Sequence, residues 1–176
     1  MSRALLVVDC LNDFLDLKGA LHCGEDGRRA IPGIAREIAR ARSVGEPVLY
    51  ACDRHRPADD EFELYPAHCL EGSWGAEIVP ELRPATGEVV IPKRRFSAFF
   101  GTDLELTLRE AGVTSLRIVG VCTNICVLYT AADARMRGFP VGVVADAVAS
   151  FDPEAHRFAL GQLRDVLKVT IEGTGE

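Results

Sequence analysis

Residues 115–127 read SLRIVGVCTNICV, and the architecture of the chain can be worked out from this stretch. Its first part is apolar and rich in β-branched residues, which predicts a buried strand over 115–121. The residues that follow have a helical period up to Gly138, which predicts a helix over 124–137. A strand that leads directly into a helix is the repeating unit of a parallel α/β sheet.

The same alternation continues on both sides of this stretch. Residues 53–83 interrupt it as a long loop without a strong period, and such loops are usually functional. We therefore predict a three-layer α/β/α sandwich around a six-stranded parallel, Rossmann-like sheet, formed by a single domain over residues 1–176. The other predicted strands are 4–8, 47–52, 88–91, 140–145 and 167–171, and the other predicted helices are 32–43, 103–111 and Pro153–Asp165 with Asp152 as its N-cap.

Composition limits the class of protein. The 176 residues are 48% hydrophobic and 26% charged, values typical of a soluble globular protein, and the formal net charge is −6. This charge argues against a nucleic-acid or membrane partner, which would require a basic patch. No apolar run is long enough for a signal peptide or a membrane span, so we expect a cytoplasmic protein whose six cysteines are thiols.

Residues capable of chemistry follow four of the predicted strands. Asp9 follows the first strand, Asp53 and His55 the second, Lys93 the third, and the segment 122–126 the fourth. In a parallel sheet these strand ends share one edge, which is where ligands bind. We therefore expect these residues to meet at one site.

Cys126 differs from the other five cysteines in its position. It lies in the first turn of a predicted helix, where free N–H groups and the helix dipole favour a thiolate, and a nearby lysine would lower its pKa further. The same N–H groups could stabilise an oxyanion. A cysteine is more often a small buried hydrophobe, however, so a nucleophile and a core residue both remain open here.

Asp9 and Lys93 also have ordinary explanations, as a carboxylate at a strand end and an exposed lysine. Asp53 and His55 form half of a metal site, because alternate residues of an extended chain point to the same side. Glu61 and His68 could complete a set of nitrogen and oxygen ligands suited to zinc, manganese or iron(II). The alternative is a surface histidine paired with an aspartate.

At these residues the sequence resembles the isochorismatase-like cysteine hydrolases and, within them, the bacterial nicotinamidases. The resemblance covers nearly the whole chain, and the order and spacing of its motifs make it specific. The motifs are LVVD at residues 6–9 with NDF at 12–14, Asp53-x-His55, LYPAHC at 64–69 with Gly72 and Gly75, PK at 92–93 with FSAF at 96–99, GVCTNICV at 120–127 and DAV at 146–148.

The resemblance implies roles for particular residues. Catalysis falls to Asp9, Lys93 and Cys126. A metal, in the first place zinc, falls to Asp53, His55, His68 and Glu61, which precedes His68 by seven residues, although the neighbouring Glu63 is an alternative. The resemblance also implies a cis peptide bond between Val121 and Cys122. The N–H groups of Cys122 and Cys126 would form the oxyanion hole, and the aromatic residues Phe14, Tyr65 and Phe96 would bind the substrate ring.

Two positions depart from the family pattern. Cys122 stands where alanine is common, and Asn124 stands where many nicotinamidases have aspartate. Asparagine at this position also occurs in relatives with other substrates.

The activity that the resemblance implies is hydrolysis of nicotinamide to nicotinate and ammonia, a step of NAD salvage, with pyrazinamide also accepted. The partner is thus a small aromatic amide, and no segment of the chain indicates an interface, although relatives are often homo-oligomers. One alternative is a related amidohydrolase acting on another amide, a carbamoyl or a ureido substrate. The other is a non-catalytic binding protein on the same fold.

Overall fold

A six-stranded sheet forms the centre of the protein. The computed structural model describes residues 2–173. All neighbouring strands are parallel, in the order β3-β2-β1-β4-β5-β6, which confirms the predicted sheet. The strands are β1 Ser2–Val8, β2 Val48–Asp53, β3 Val89–Lys93, β4 Val113–Val121, β5 Val141–Ala149 and β6 Thr170–Glu172.

Helices cover both faces of this sheet, as predicted. Alternate residues of a strand point to opposite faces. In β1, Leu5 and Val7 accordingly pack in one apolar core with the helix Gly24–Ser43, whereas Leu6 and Val8 pack in a second core against helices on the other face. The helices are α1 Asn12–Leu15, α2 Gly24–Ser43, α3 Leu104–Glu110, α4 Leu128–Met136 and α5 Pro153–Asp165.

The helix α2 begins eight residues before the predicted start at residue 32. Pro32 therefore lies inside the helix rather than at its first turn. A proline in a helix removes one N–H donor, a cost that burial of an apolar face can outweigh. Ile31, Ile34 and Ile38 provide that face, and all three pack in the core shared with β1.

Other elements also differ from their predicted bounds, and β6, predicted over 167–171, is found at Thr170–Glu172. β5 continues four residues past the predicted end at 145, with a shift of register against β4 between Ile118 and Gly120. The helix predicted over 124–137 instead starts with a π-helical turn at Thr123–Val127, and α4 follows it. The cap of α5 is confirmed, because the Asp152 carboxylate accepts hydrogen bonds from the N–H groups of Glu154 and Ala155.

The predicted long loop folds back over the sheet edge through three short 3₁₀ turns, at Asp60–Glu63, Trp74–Ala76 and Pro80–Leu82. An isolated bridge between His55 and Leu70 ties the start of the loop to its middle. This closure brings loop residues to the carboxyl ends of the strands. Within residues 2–173, no helix combines the length and apolar character that crossing a bilayer requires.

Candidate active site

Asp9, Lys93 and Cys126 meet at the carboxyl edge of the sheet, as their positions in the sequence predict. Asp9 follows β1, Lys93 ends β3, and Cys126 lies in the π-helical turn after β4. The Lys93 Nζ lies 2.8 Å from Asp9 Oδ2 and 3.4 Å from Cys126 Sγ. All three side chains are buried, with at most 6% of each residue exposed, so their charges interact with little screening by water.

The backbone holds Asp9 in a particular orientation. Its φ of 49° lies in the left-handed region, which aspartate tolerates better than most residues. The carboxylate oxygen Oδ1 accepts a hydrogen bond from the Asp53 N–H at 2.8 Å. The other oxygen, Oδ2, accepts no aligned hydrogen bond from the described residues. Oδ2 is therefore the oxygen that can receive a proton.

Burial determines the proton affinities of this group. The pKa of Asp9 is raised to about 6, mainly by burial and also by the negative charge of Asp53. The positive charge of Lys93 offsets part of this rise. Burial would lower the pKa of Lys93, but the carboxylates of Asp53 and Asp9 outweigh it and hold that pKa well above its ordinary value. Lys93 is therefore a fixed cation, and Asp9 can exchange a proton near neutral pH.

The turn that carries Cys126 favours a thiolate, but the buried surroundings of the sulfur oppose one. Burial raises the pKa of Cys126 well above its ordinary value, and the opposing effect of Lys93 is too small to reverse this. The negative carboxylates of Asp9 and Asp53 also disfavour a second anion, so the surroundings of Cys126 favour the thiol.

The four side chains predicted to bind a metal form a compact, buried cluster. One ligand atom from each lies within 4.8 Å of the others. His55 Nε2 is 3.6 Å from Asp53 Oδ2 and 3.9 Å from Glu61 Oε1, and His68 Nε2 is 3.8 and 3.9 Å from the same two oxygens. Glu63 is exposed outside this cluster, so the geometry favours Glu61.

The cluster fits a divalent cation. Four ligands around a tetrahedral zinc stand about 3.4 Å apart, close to the separations of 3.6 to 3.9 Å found here. His55 Nδ1, His55 Nε2 and Glu61 Oε2 are buried without a hydrogen-bond partner among the described residues. Of these, His55 Nε2 faces the cluster, as expected of an atom that binds a cation. His68 Nδ1 lies 2.7 Å from the Pro66 carbonyl, which turns its Nε2 toward the cluster.

A narrow cleft with a cavity volume of about 20 Å³ connects the cluster to Cys126. This volume is far below that of ligand pockets, so a bound ligand requires the lining side chains to move apart. Tyr65 and Phe96 lie edge to face across it, with ring centroids 6.1 Å apart. The predicted aromatic residues Phe14, Tyr65 and Phe96 all line the cleft, together with Leu21, Ile125 and Phe151, which the sequence did not indicate.

The turn before Cys126 has the predicted cis peptide bond between Val121 and Cys122. The Cys122 carbonyl accepts hydrogen bonds from the N–H groups of Ile125 and Val127, and the Cys126 N–H between them is not one of its donors. All six cysteines are free, as expected. The Cys122 Sγ lies 3.4 Å from Cys23 Sγ and is directed into the core.

Two further polar residues support the site and have no clear signal in the sequence. Asp59 is buried beside His55, with Oδ2 3.2 Å from His55 Nδ1, although it stands in an acidic run where its neighbour Asp60 is exposed. His156, on α5, lies 2.8 Å from the buried Thr123 hydroxyl through its Nδ1. His156 is 33 residues from Thr123 along the chain, so only folding brings this pair together. Asp59 is four residues from His55, and its burial arises only when the loop closes.

Known proteins share this sequence and fold. Residues 3–174 match the isochorismatase domain family. Nicotinamidase/pyrazinamidase from Bacillus subtilis is 37% identical with a TM-score of 0.92, and the match covers 98% of this chain and 100% of that chain. N-carbamoylsarcosine amidase from Thermoplasma acidophilum is 34% identical with a TM-score of 0.90, covering 100% of this chain and 98% of that one.

A third structure is pyrazinamidase from Pyrococcus horikoshii in complex with zinc. It is 32% identical with a TM-score of 0.91, and the match covers 97% of this chain and 98% of that chain. These likenesses extend over almost the entire sheet and its helices. The chain belongs to the isochorismatase family of hydrolases.

Proposed function

We propose that the chain is a nicotinamidase, which hydrolyses nicotinamide to nicotinate and ammonia through a thioester on Cys126. The observation that carries this proposal is the composition of one cleft. Cys126 lines the cleft together with three members of the metal-binding cluster, Asp53, Glu61 and His68. Once the lining side chains move apart, a small aromatic amide can be held by its ring at one end while its carboxamide meets a thiol at the other.

Asp9 acts first, as the general base. Its carboxylate takes the proton of the Cys126 thiol, and Lys93, in contact with both groups, stabilises the thiolate as it forms. The thiolate attacks the carboxamide carbon, and the resulting oxyanion accepts hydrogen bonds from the N–H groups of Cys122 and Cys126. Such donors are typically worth about 10²–10³ in rate.

The same carboxyl group completes the cycle. Protonated Asp9 donates its proton to the departing ammonia, which leaves a thioester between Cys126 and the acyl group. Asp9 then takes a proton from the attacking water, and collapse of the second tetrahedral adduct releases the thiolate and nicotinic acid, whose proton passes to the released ammonia to give nicotinate. The thiolate recovers its proton from Asp9, so no proton is gained or lost by the site over one turnover.

Substrate orientation depends on the rest of the cleft. A divalent cation held by Asp53, His55, Glu61 and His68 would supply a Lewis acid that binds the pyridine nitrogen. The rings of Phe14, Tyr65 and Phe96 flank the space beside it and exclude water from the reacting carboxamide. Pyrazinamide keeps both the ring nitrogen and the carboxamide, so we expect it to be accepted as well.

Another amidohydrolase activity is the second candidate, because N-carbamoylsarcosine amidase is a structural neighbour at 34% identity. The two candidates differ in what must be bound. A carbamoyl substrate has no ring nitrogen for a cation, whereas the buried cluster offers unpartnered ligand atoms at His55 Nε2 and Glu61 Oε2. This favours the pyridine carboxamide.

The test uses purified protein and three substrates, with ammonia release as the common readout. Nicotinamide should be hydrolysed, chelation with confirmed metal loss should reduce the rate, and added zinc should restore it. Benzamide, which lacks the ring nitrogen, should be a much poorer substrate. Faster turnover of N-carbamoylsarcosine than of nicotinamide, or full activity after complete metal loss, would contradict the proposal.

A further inference from the structure

We propose that Asp59 is a positioning residue for the metal site, which holds His55 and Glu61 in the arrangement that binds a cation. This inference rests on the proposed function only in taking the cluster to be a metal site. Asp59 is buried, with no exposed area on its side chain, and it is not among the four residues whose ligand atoms cluster.

Each oxygen of the Asp59 carboxylate contacts one of the proposed ligand residues. Oδ2 lies 3.2 Å from His55 Nδ1, an ion-pair contact in which Nδ1 is buried and has no aligned hydrogen-bond partner among the described residues, so Asp59 is its nearest acceptor. Oδ1 accepts a hydrogen bond of 3.2 Å from the Glu61 N–H. A proton on His55 Nδ1 leaves the lone pair on Nε2, which is the atom that faces Asp53 and Glu61. The carboxylate therefore selects the tautomer that can bind a metal.

Two arginines hold this carboxylate in place. Arg94 Nε lies 2.8 Å from Asp59 Oδ2, and Arg95 Nη1 lies 2.8 Å from Oδ1. Both arginines directly follow Lys93, whose ammonium donates a hydrogen bond of 3.2 Å to the Arg95 carbonyl. Asp59 thus connects the loop that carries the metal ligands to the end of the strand that carries Lys93.

An isolated carboxylate at this depth would be costly to bury, and the two guanidinium groups compensate for that cost. The structure could meet the same folding requirement with an apolar side chain and no arginines. The arrangement found here keeps a full negative charge against a ligand histidine, which strengthens that histidine as a donor to a cation.

The experiment measures the zinc dissociation constant of purified protein by competition with a chromogenic chelator. Asp59→Asn should weaken zinc binding by about 10–100-fold, the usual effect of losing such a partner. Arg94→Gln should weaken it less and in the same direction, and its half-exposed position makes misfolding a minor concern. Matched controls are Asp60→Asn and Arg56→Gln, which are exposed in the same loop and should leave the constant unchanged.

A second readout separates positioning from misfolding. Excess zinc should restore nicotinamide kcat/KM of Asp59→Asn to the wild-type value, which a misfolded protein would not allow. Wild-type affinity in Asp59→Asn, an equal loss in Asp60→Asn, or a wild-type protein that binds no zinc would each overturn the inference. Where the wild-type protein hydrolyses nicotinamide, failure of this rescue would also overturn it. Zinc binding without nicotinamide turnover would contradict the proposed function alone, because the dissociation constants still test Asp59.

Discussion

Asp9 should determine the acidic limit of activity. Burial raises its pKa to about 6, and only the ionised carboxylate can accept the proton of Cys126. Activity should therefore fall as the pH falls through 6. The ionised fraction is about nine tenths at pH 7 and about one tenth at pH 5, so kcat/KM at pH 5 should be about a tenth of its plateau.

Replacing Lys93 provides the sharper part of this prediction. Lys93 lowers the pKa of Asp9, while burial and Asp53 raise it. Lys93→Gln removes the effect that lowers the pKa of Asp9. The acidic limb of the pH–rate profile of this variant should therefore move above pH 6, and its plateau rate should also fall. Lys18→Gln, which removes an exposed lysine, should leave the limb where it is.

The assay is ammonia release from nicotinamide at concentrations well below KM, from pH 4.5 to 8, because kcat/KM reports ionisations of the free enzyme. Zinc is kept saturating, and doubling it must not change the rate at any pH. A wild-type midpoint near 4, the ordinary value for a carboxylate, would refute a buried base. A Lys93→Gln midpoint at or below that of wild type would refute the electrostatic reasoning.

Two other substitutions test the nucleophile and the packing of the loop. Cys126→Ala should abolish ammonia release and leave zinc affinity intact. Cys52→Ala, which changes another buried cysteine, should retain turnover. Equal losses of activity in the two variants would contradict the assignment of Cys126 as the nucleophile. Gly75→Ala should lower the free energy of unfolding by about 1–3 kcal/mol in urea denaturation, because the added methyl group would overlap the Asp13 carboxylate. Gly161→Ala, where the added methyl group meets open space, should be neutral or stabilising.

The sequence was most informative where a property repeats along the chain. Alternation of strands and helices predicted the parallel sheet, and parallel strands bring their carboxyl ends to one edge whatever their exact bounds. Asp9, Asp53 and Lys93 could therefore be assigned to one site without knowledge of their contacts. The partners themselves came from the family pattern, because many carboxylates and lysines occur at strand ends.

The sequence was least informative where neighbouring residues of one type differ only in burial. Nothing in the run Asp59-Asp60-Glu61 distinguishes a buried partner of His55 from an exposed acid, since the difference arises when the loop closes over the sheet edge. The direction in which the pKa of Cys126 shifts could not be predicted from the sequence for the same reason. Local features of its turn favour a thiolate, but the degree of burial that outweighs them depends on the whole surrounding structure.

Burial explains why Asp9, Lys93 and Cys126 occur together, as one acid, one cation and one thiol. A thiolate at Cys126 beside an ionised Asp9 would place a third buried anion around Lys93, which desolvation opposes. A thiol beside an ionised Asp9 leaves Lys93 in contact with two anions, Asp9 at 2.8 Å and Asp53 at 2.6 Å. Moving the proton from Cys126 to Asp9 exchanges the contact with Asp9 for one between Lys93 and the sulfur, at 3.4 Å. The negative charge changes atoms but keeps the same cation, so proton transfer and attack proceed without creating a new charge in a site closed to water.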